Sequence, residues 1–239
     1  MITAQLATIP SRSESVRKTI ESLLPQVDEL HITINDVDAV ALEMWVDEIR
    51  LKENDWSKIK VRALRHLSNK GDAEKLFGAD TLSGYVLTCD DDLIYPPDYA
   101  AKMIEVVDRY NGRAIISLHG RELKPGKIAS YYAPSSRLEA FRCLGDVPQD
   151  HLIQHGTVGT GVMAWNADKV KIEYDWFQSP NMADVWLAVN AKRLGIPMVI
   201  AAHREGWLTY IDQPEGSTIW EQHFGNDQKQ TEIWNRYQE

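Results

Sequence analysis

The sequence predicts an α/β fold built on a mixed, mostly parallel sheet with helices on both faces. Three observations carry that prediction. Short apolar runs alternate with amphipathic stretches along most of the chain, the order expected when strands are joined by crossover helices. Proline and glycine stand between these segments as single turn signals, with no repeat or low-complexity tract among them. The chain has 239 residues, 44% hydrophobic and 26% charged, enough to bury one sizeable core without disulfide or metal staples.

The elements follow in order. ITAQLATIP (2–10) reads as a strand stopped by Pro10, and Ser11 with Glu14 has the spacing of a capping box. The helix behind it places Val16, Ile20, Leu23 and Leu24 on one face. ELHITIN (29–35) is a second strand, ending at Asn35-Asp36, and 38–53 is a helix with Val40, Met44 and Trp45 on its apolar side. KIKVRAL (58–64) is a third strand, GDAEKLFGA (71–79) a short helix, and GYVLTC (84–89) a fourth strand. A helix over 97–110 opens at Pro97, a residue suited to a first turn. RAIISL (113–118) is a fifth strand, and 119–155 fit no single pattern. TVGTGVMAW (157–165) reads as a strand interrupted by glycines, Asp184 to Leu194 as a helix closed by Gly195, and PMVIAA (197–202) as a last strand. Residues 206–239 are polar with interleaved aromatics, a C-terminal extension on a domain spanning 1–205. In such folds ligands sit beyond the carboxyl ends of the strands, so strand ends are where chemistry is expected.

Composition narrows the partners. Twenty-six basic against 35 acidic residues give a net charge of −9, a field that repels polyphosphate backbones and argues against nucleic acid. Cys89 and Cys143 are too few for a disulfide framework and lack metal spacing. The opening MITAQLATIPSRSE lacks the basic-then-apolar pattern of a secretory signal, and no apolar run nears the roughly 18 residues of a membrane span. The expectation is a cytoplasmic protein without a transmembrane segment, with peripheral membrane contact left open.

The densest chemical signal is YVLTCDDDLIYPPDY (85–99). An apolar strand runs directly into Asp90, Asp91 and Asp92, three carboxylates that repel one another unless a cation or donors offset them. Strand alternation sends Asp90 and Asp92 to one side and Asp91 to the other. Hard divalent cations want such oxygen ligands; a solvated acidic turn, with one Asp as a cap, would read the same way.

With these residues in view the sequence resembles the GT-A fold glycosyltransferases, a Rossmann-like class, and within them the family 2 nucleotide-sugar transferases. The opening strand with Pro10-Ser11-Arg12, the helix ending SLLPQ (22–26), the strand end Asn35-Asp36, the segment Asn69-Lys70-Gly71 and Asp90-x-Asp92 follow the order of that family's motifs. The resemblance divides 1–205 into a nucleotide-sugar half (1–118) and an acceptor half (119–205). It implies transfer of a sugar from a nucleoside-diphosphate donor, UDP-sugar favoured, to a hydroxyl of a glycan or lipid-linked acceptor, with inversion. Asp92 would be the direct ligand of Mn²⁺ or Mg²⁺ and Asp90 would contact the ribose or help hold the metal. Pro10, Arg12, Asn35, Asp36, Asn69, Lys70 and Asp91 would line the donor site. Asp184, in Met182-Ala183-Asp184, would be the catalytic base, although Ala183 stands where the family often has Glu; an Asp at a helix start is equally a favoured cap. His203 would be a third metal ligand or a hydrogen-bonded surface residue. Arg204, with His223 and Lys229 in the tail, is a candidate diphosphate contact. Gly159, Thr160 and Gly161 would line the sugar and acceptor pocket or form a bulge, and Trp186 would stack on a sugar or belong to the core.

Three other classes compete. A sugar nucleotidyltransferase shares the fold but would want a Gly-rich, basic loop after the first strand, which ATIPSRSES does not supply. A metal-dependent phosphohydrolase also carries DxD at a strand end, but on the first strand and followed by Thr. A non-catalytic GT-A-like module that binds glycan or nucleotide would keep the fold and lose turnover, which the missing Glu before Asp184 favours.

Overall fold

A computed structural model describes the chain except residues 36, 50–55, 64–69, 214–217, 219–224 and 238–239. Asp36, Asn69 and His223 therefore lie outside the described residues. The central sheet has eight strands. β1 (Ile2–Thr8), β2 (Glu29–Ile34), β3 (Ile59–Ala63) and β4 (Tyr85–Cys89) run parallel in the order β3-β2-β1-β4. α1 (Ser13–Leu23) and α2 (Ala39–Ile49) cross over between the first strands. The two-residue β5 (Leu93–Ile94) and then α3 (Tyr99–Arg109) lead to β6 (Ile115–Ser117).

The stretch 119–155 resolves into β7 (Gly120–Leu123), β8 (Arg137–Phe141) and β9 (His151–Ile153). The expected strand at 157–165 is two strands in two different sheets. β10 (Gly156–Val158) joins β7 and β8 in a small antiparallel sheet, whereas β11 (Val162–Asn166) enters the main sheet between β4 and β6, antiparallel to both. α4 (Ala183–Arg193) and β12 (Met198–Ile200) follow, with β9 closing the sheet's edge. β13 (Thr209–Tyr210) pairs with β5, and α5 (Gln228–Arg236) ends the described chain.

Strand alternation divides the core in two. Leu87, Ile116, Ala164 and Val199 join Ile20, Leu23, Tyr99 and Met103 in one cluster, under α1–α3. Their neighbours Val86, Ile115, Met163, Trp165 and Ile200 join Trp186, Leu187 and Trp234 in the other, under α4 and α5. Strands buried on both faces need apolar residues at nearly every position, which is why these segments read as continuous apolar runs. The expected α/β class, with helices on both faces of a mostly parallel Rossmann-like sheet, is the observed one.

Two local expectations are corrected. The Ser11–Glu14 capping box does not form, because Pro10 starts a 3₁₀ turn (Pro10–Arg12) that takes up Ser11, and Glu14 pairs with Lys18 instead. The short helix over 71–79 is two 3₁₀ pieces, Gly71–Leu76 and Ala79–Thr81, divided by Gly78 at φ 70°.

Candidate functional site

The site grows out of the register between β4 and β11. Val162 pairs with Cys89, so the turn before β11 lies against the residue after β4. The Asp90 N–H donates to Gly161 O (2.9 Å) and to the hydroxyl of buried Tyr95 (2.8 Å), which itself donates to Gly161 O (2.8 Å). The Asp90 carboxylate then lies where a side chain on residue 161 would stand. Gly161 is thus glycine because a carboxylate occupies the place of its missing Cβ.

The three aspartates separate, but not by strand alternation: β4 ends at Cys89, and Asp91 and Asp92 lie in the turn that follows. Asp90 and Asp92 face one cavity of about 370 Å³. Asp91 turns into the protein, 4% exposed, where it accepts from Thr8 Oγ1 (2.6 Å) and Arg12 Nη1 (2.6 Å). Asp91 and Arg12 therefore anchor β4 to the turn after β1, although Arg12 Nη1 also stands 4.0 Å from Asp92 Oδ2.

Asp184, in the first turn of α4, lines the same cavity. Its Oδ1 accepts both the N–H (2.8 Å) and the Oγ1–H (2.9 Å) of Thr160, which fixes the carboxylate through one oxygen. Lys75, buried on the first 3₁₀ piece, reaches in and pairs with Asp90. Burial alone would drive its ammonium toward neutrality, but Asp90 and Asp72 raise its pKa above the ordinary lysine range. Asp72, whose backbone leans on Asn181 Oδ1 (3.3 Å), lines the same cavity. The His119 pKa is lowered, chiefly by burial and against the opposite pull of Asp184.

This cavity carries more negative than positive charge. Burial first, then Asp90 and Asp91, push the Asp92 carboxyl up to about 7, against the pull of Arg12 and Lys75. Burial, with Asp184 and Asp90, lifts Asp72 to about 7 as well, against Lys75. Between their ordinary pKa near 3.8 and these values the folded chain holds protons that the unfolded chain has released. Stability from both groups is therefore present at low pH and lost as pH rises through about 7. A melting series from pH 5 to pH 8 in chelator should fall by several degrees, about 1.4 kcal/mol accompanying each unit of displacement. Asp92→Asn should flatten that fall, and a melting temperature that rises over this range would contradict the described charge balance.

The structure gathers some predicted site residues and disperses others. Asp90, Asp92, Gly159, Thr160, Gly161 and Asp184 line the cavity. Asn35 does not line it but is buried beside it, donating through Nδ2 to Gly71 O (3.1 Å) while its Oδ1 is buried without a partner. Pro10 opens the turn that presents Arg12. Lys70 leaves the site, donating to Tyr174 O (3.2 Å) and lying over the Tyr174 ring. Trp186 is a core residue, bonded through Nε1 to Ser179 Oγ (2.9 Å). His203 and Arg204 border a different cavity of about 300 Å³, beside Lys102 and Trp207. The His203 ring nitrogens face Ala201 O (2.7 Å) and Arg142 O (3.1 Å), which leaves neither for a metal shared with Asp90 and Asp92.

Several cavity residues carried no sequence signal: Asp72, Lys75, Arg121, Tyr131 and Gln230. Lys75 lies in a segment that the sequence marks only as a short helix. His119-Gly120, at a strand end, was the one signal that could have been followed.

Among the described residues no group of three or more His, Cys, Asp or Glu is arranged to hold a metal. Asp90 and Asp92 fit a lesser role. Two carboxylates on one cavity are what Mg²⁺ typically takes from protein when phosphates and water supply its other ligands, and the upward push on Asp92 marks a site short of positive charge. Among the described residues no helix is long and apolar enough to cross a membrane.

No protein-family model matches the chain, and no curated protein matches it in sequence. Among solved structures it is similar to a crystal structure of 4-diphosphocytidyl-2C-methyl-D-erythritol synthase. The TM-score is 0.48 at 12% identity, over 92% of this chain and 96% of that one. A likeness at that level says nothing about this chain's chemistry.

Proposed function

We propose that this chain is a glycosyltransferase that moves a sugar from a nucleoside-diphosphate donor, UDP-sugar favoured, to an acceptor hydroxyl of a glycan or lipid-linked molecule, with inversion. The observation that carries the reading is the pairing of Asp90 and Asp92 with Asp184 in one cavity, while Asp91 is spent on the fold. A solvated acidic turn would leave all three aspartates in water and would not share a cavity with a second, oriented carboxylate.

Each residue then has a task. Asp90 and Asp92 would hold Mn²⁺ or Mg²⁺, which when bound supplies positive charge against the leaving diphosphate. Lys75 keeps Asp90 in place and adds a fixed cation at that end. The free oxygen of Asp184 accepts the proton of the acceptor hydroxyl as that oxygen bonds to the anomeric carbon. The bond from that carbon to the donor phosphate breaks, and the electron pair leaves with the nucleoside diphosphate. Attack from the side opposite the leaving group inverts the carbon. His119 borders the same space.

A melting panel tests this: UDP, GDP, CMP and dTDP, each with Mn²⁺ and with chelator, on the wild type and on Asp92→Asn. A ligand at 100 times its Kd stabilises by about 2.7 kcal/mol, roughly 5–11 °C for a chain of this size. One nucleotide should raise the melting temperature with metal only, and Asp92→Asn should lose the rise. If no nucleotide raises it under any condition, the acidic pair belongs to the fold and the transferase reading fails.

A further inference from the structure

We propose that the acceptor carries an anionic group, a carboxylate or a phosphate, that docks on Arg121. The inference rests on the transferase reading above and deepens it. Arg121 lies on β7 and borders the same cavity as Asp184, in a chain whose charge is otherwise strongly acidic. Its guanidinium lies against two aromatic rings, with Cζ 4.5 Å from the Tyr131 centroid and 4.8 Å from the Tyr132 centroid. Those rings meet edge to face at 5.1 Å, and Nη1 donates to Tyr131 O at 3.4 Å. Among the described residues no carboxylate stands within 4.0 Å of it. Lys75 and Arg12, the other cations of the site, are each paired with an aspartate.

The notch that holds Arg121 is built by distant parts of the chain. The Tyr131 hydroxyl is bonded to Thr157 (2.7 Å), and the Tyr131 N–H donates to Thr231 Oγ1 (2.9 Å). The Tyr132 N–H and the Ser130 hydroxyl both donate to Asp227, just before α5. α5 also sends Gln230 into the cavity, 3% exposed, with its Oε1 buried and without a partner. A buried amide oxygen left unbonded costs free energy unless a ligand donates to it.

The guanidinium fork matches two oxygens of a carboxylate or phosphate, and pre-orientation by stacking cuts the entropy lost on binding. In the transferase reading the donor's diphosphate belongs with Asp90 and Asp92. Arg121, Tyr131 and Tyr132 line the same cavity as Asp184, the proposed base. An acceptor bound there presents a hydroxyl to Asp184, its charge to Arg121 and a donor group to Gln230.

The test uses saturation-transfer NMR on the full chain with glucuronate, glycerol 3-phosphate and neutral glucose as probes. Each is run with the nucleotide and Mn²⁺ present, on the wild type, Arg121→Gln and Arg121→Lys. One or both anionic probes should bind the wild type while glucose does not; which of them binds separates carboxylate from phosphate. Arg121→Gln should abolish that binding and Arg121→Lys should restore only part of it, both retaining the nucleotide-dependent rise in melting temperature. The proposal is overturned if neither anion binds the wild type, or if Arg121→Gln still binds them. It is also overturned if Arg121→Gln loses the nucleotide itself, which would assign Arg121 to the diphosphate. A chain that binds the anions through Arg121 but no nucleotide would sink the transferase reading and leave an anion site standing.

Discussion

Replacing Asp184 by Asn is expected to lower kcat by roughly 10²–10⁴-fold, the usual contribution of a positioned general base. The structure makes this substitution a clean one. Asn keeps a carbonyl oxygen where Asp184 Oδ1 accepts the Thr160 N–H and hydroxyl, so the tie between α4 and the turn before β11 survives. What disappears is the second carboxylate oxygen and its affinity for a proton. Loss of a negative charge in a helix's first turn costs about 0.3–1 kcal/mol, so melting should drop by only about 1–4 °C. The measurement is release of nucleoside diphosphate from the donor that the melting panel identifies, with KM followed alongside kcat. The donor KM should change little, since Asp184 faces the acceptor. A kcat within a few-fold of the wild type would remove Asp184 from the chemistry, and His119 on the same cavity would be the next base to replace.

Gly161→Ala should abolish the metal-dependent nucleotide response altogether. A methyl group on residue 161 would overlap the Asp90 carboxylate. The Asp90 backbone is fixed, its N–H held by Gly161 O and by the Tyr95 hydroxyl at the same strand junction, so relief must come from its side chain or from the strand pair. Either the carboxylate swings away from Lys75 or the β4–β11 pair opens. Overpacking of this kind costs typically 1–3 kcal/mol, a melting loss of roughly 2–12 °C. Gly145→Ala is the control, since a methyl there meets only ordinary contacts at 3.4 Å and 3.6 Å. Gly161→Ala that melts and binds like Gly145→Ala would mean that Asp90 is not held as described. The variant separates positioning from charge, because all three aspartates are still present.

The glycine run 156–161 shows how far a sequence can be read. It marked a place where backbone and something else come close, and either substrate or a bulge would have explained it. The close approach is to the protein's own atoms: Asp90 at Gly161, the His119 side chain at Gly159 and the Arg121 carbonyl at Gly156. His203 shows the opposite outcome. It follows β12, at a strand end as expected, yet it belongs to the α3 side, with Lys102 and Trp207, while Asp184 belongs to the α4 side. Strand-end position was legible; the face was not, because a face depends on where regular alternation stops.

What the sequence determined by itself was local and periodic. Apolar runs divided by single prolines and glycines specify strands buried on both faces, hence the α/β class. The apolar strand that runs straight into Asp90, Asp91 and Asp92 marks a strand end dense in carboxylates. The tertiary structure alone decided which distant groups meet those carboxylates. The antiparallel insertion of β11 brings Gly161 to Asp90, the 3₁₀ segment buries Lys75, and α5 returns from the far end of the chain to supply Gln230 and brace the Arg121 notch. A buried lysine and an exposed one look alike in sequence, because burial and charge pairing belong to contacts between residues far apart in the chain, and only packing creates those contacts.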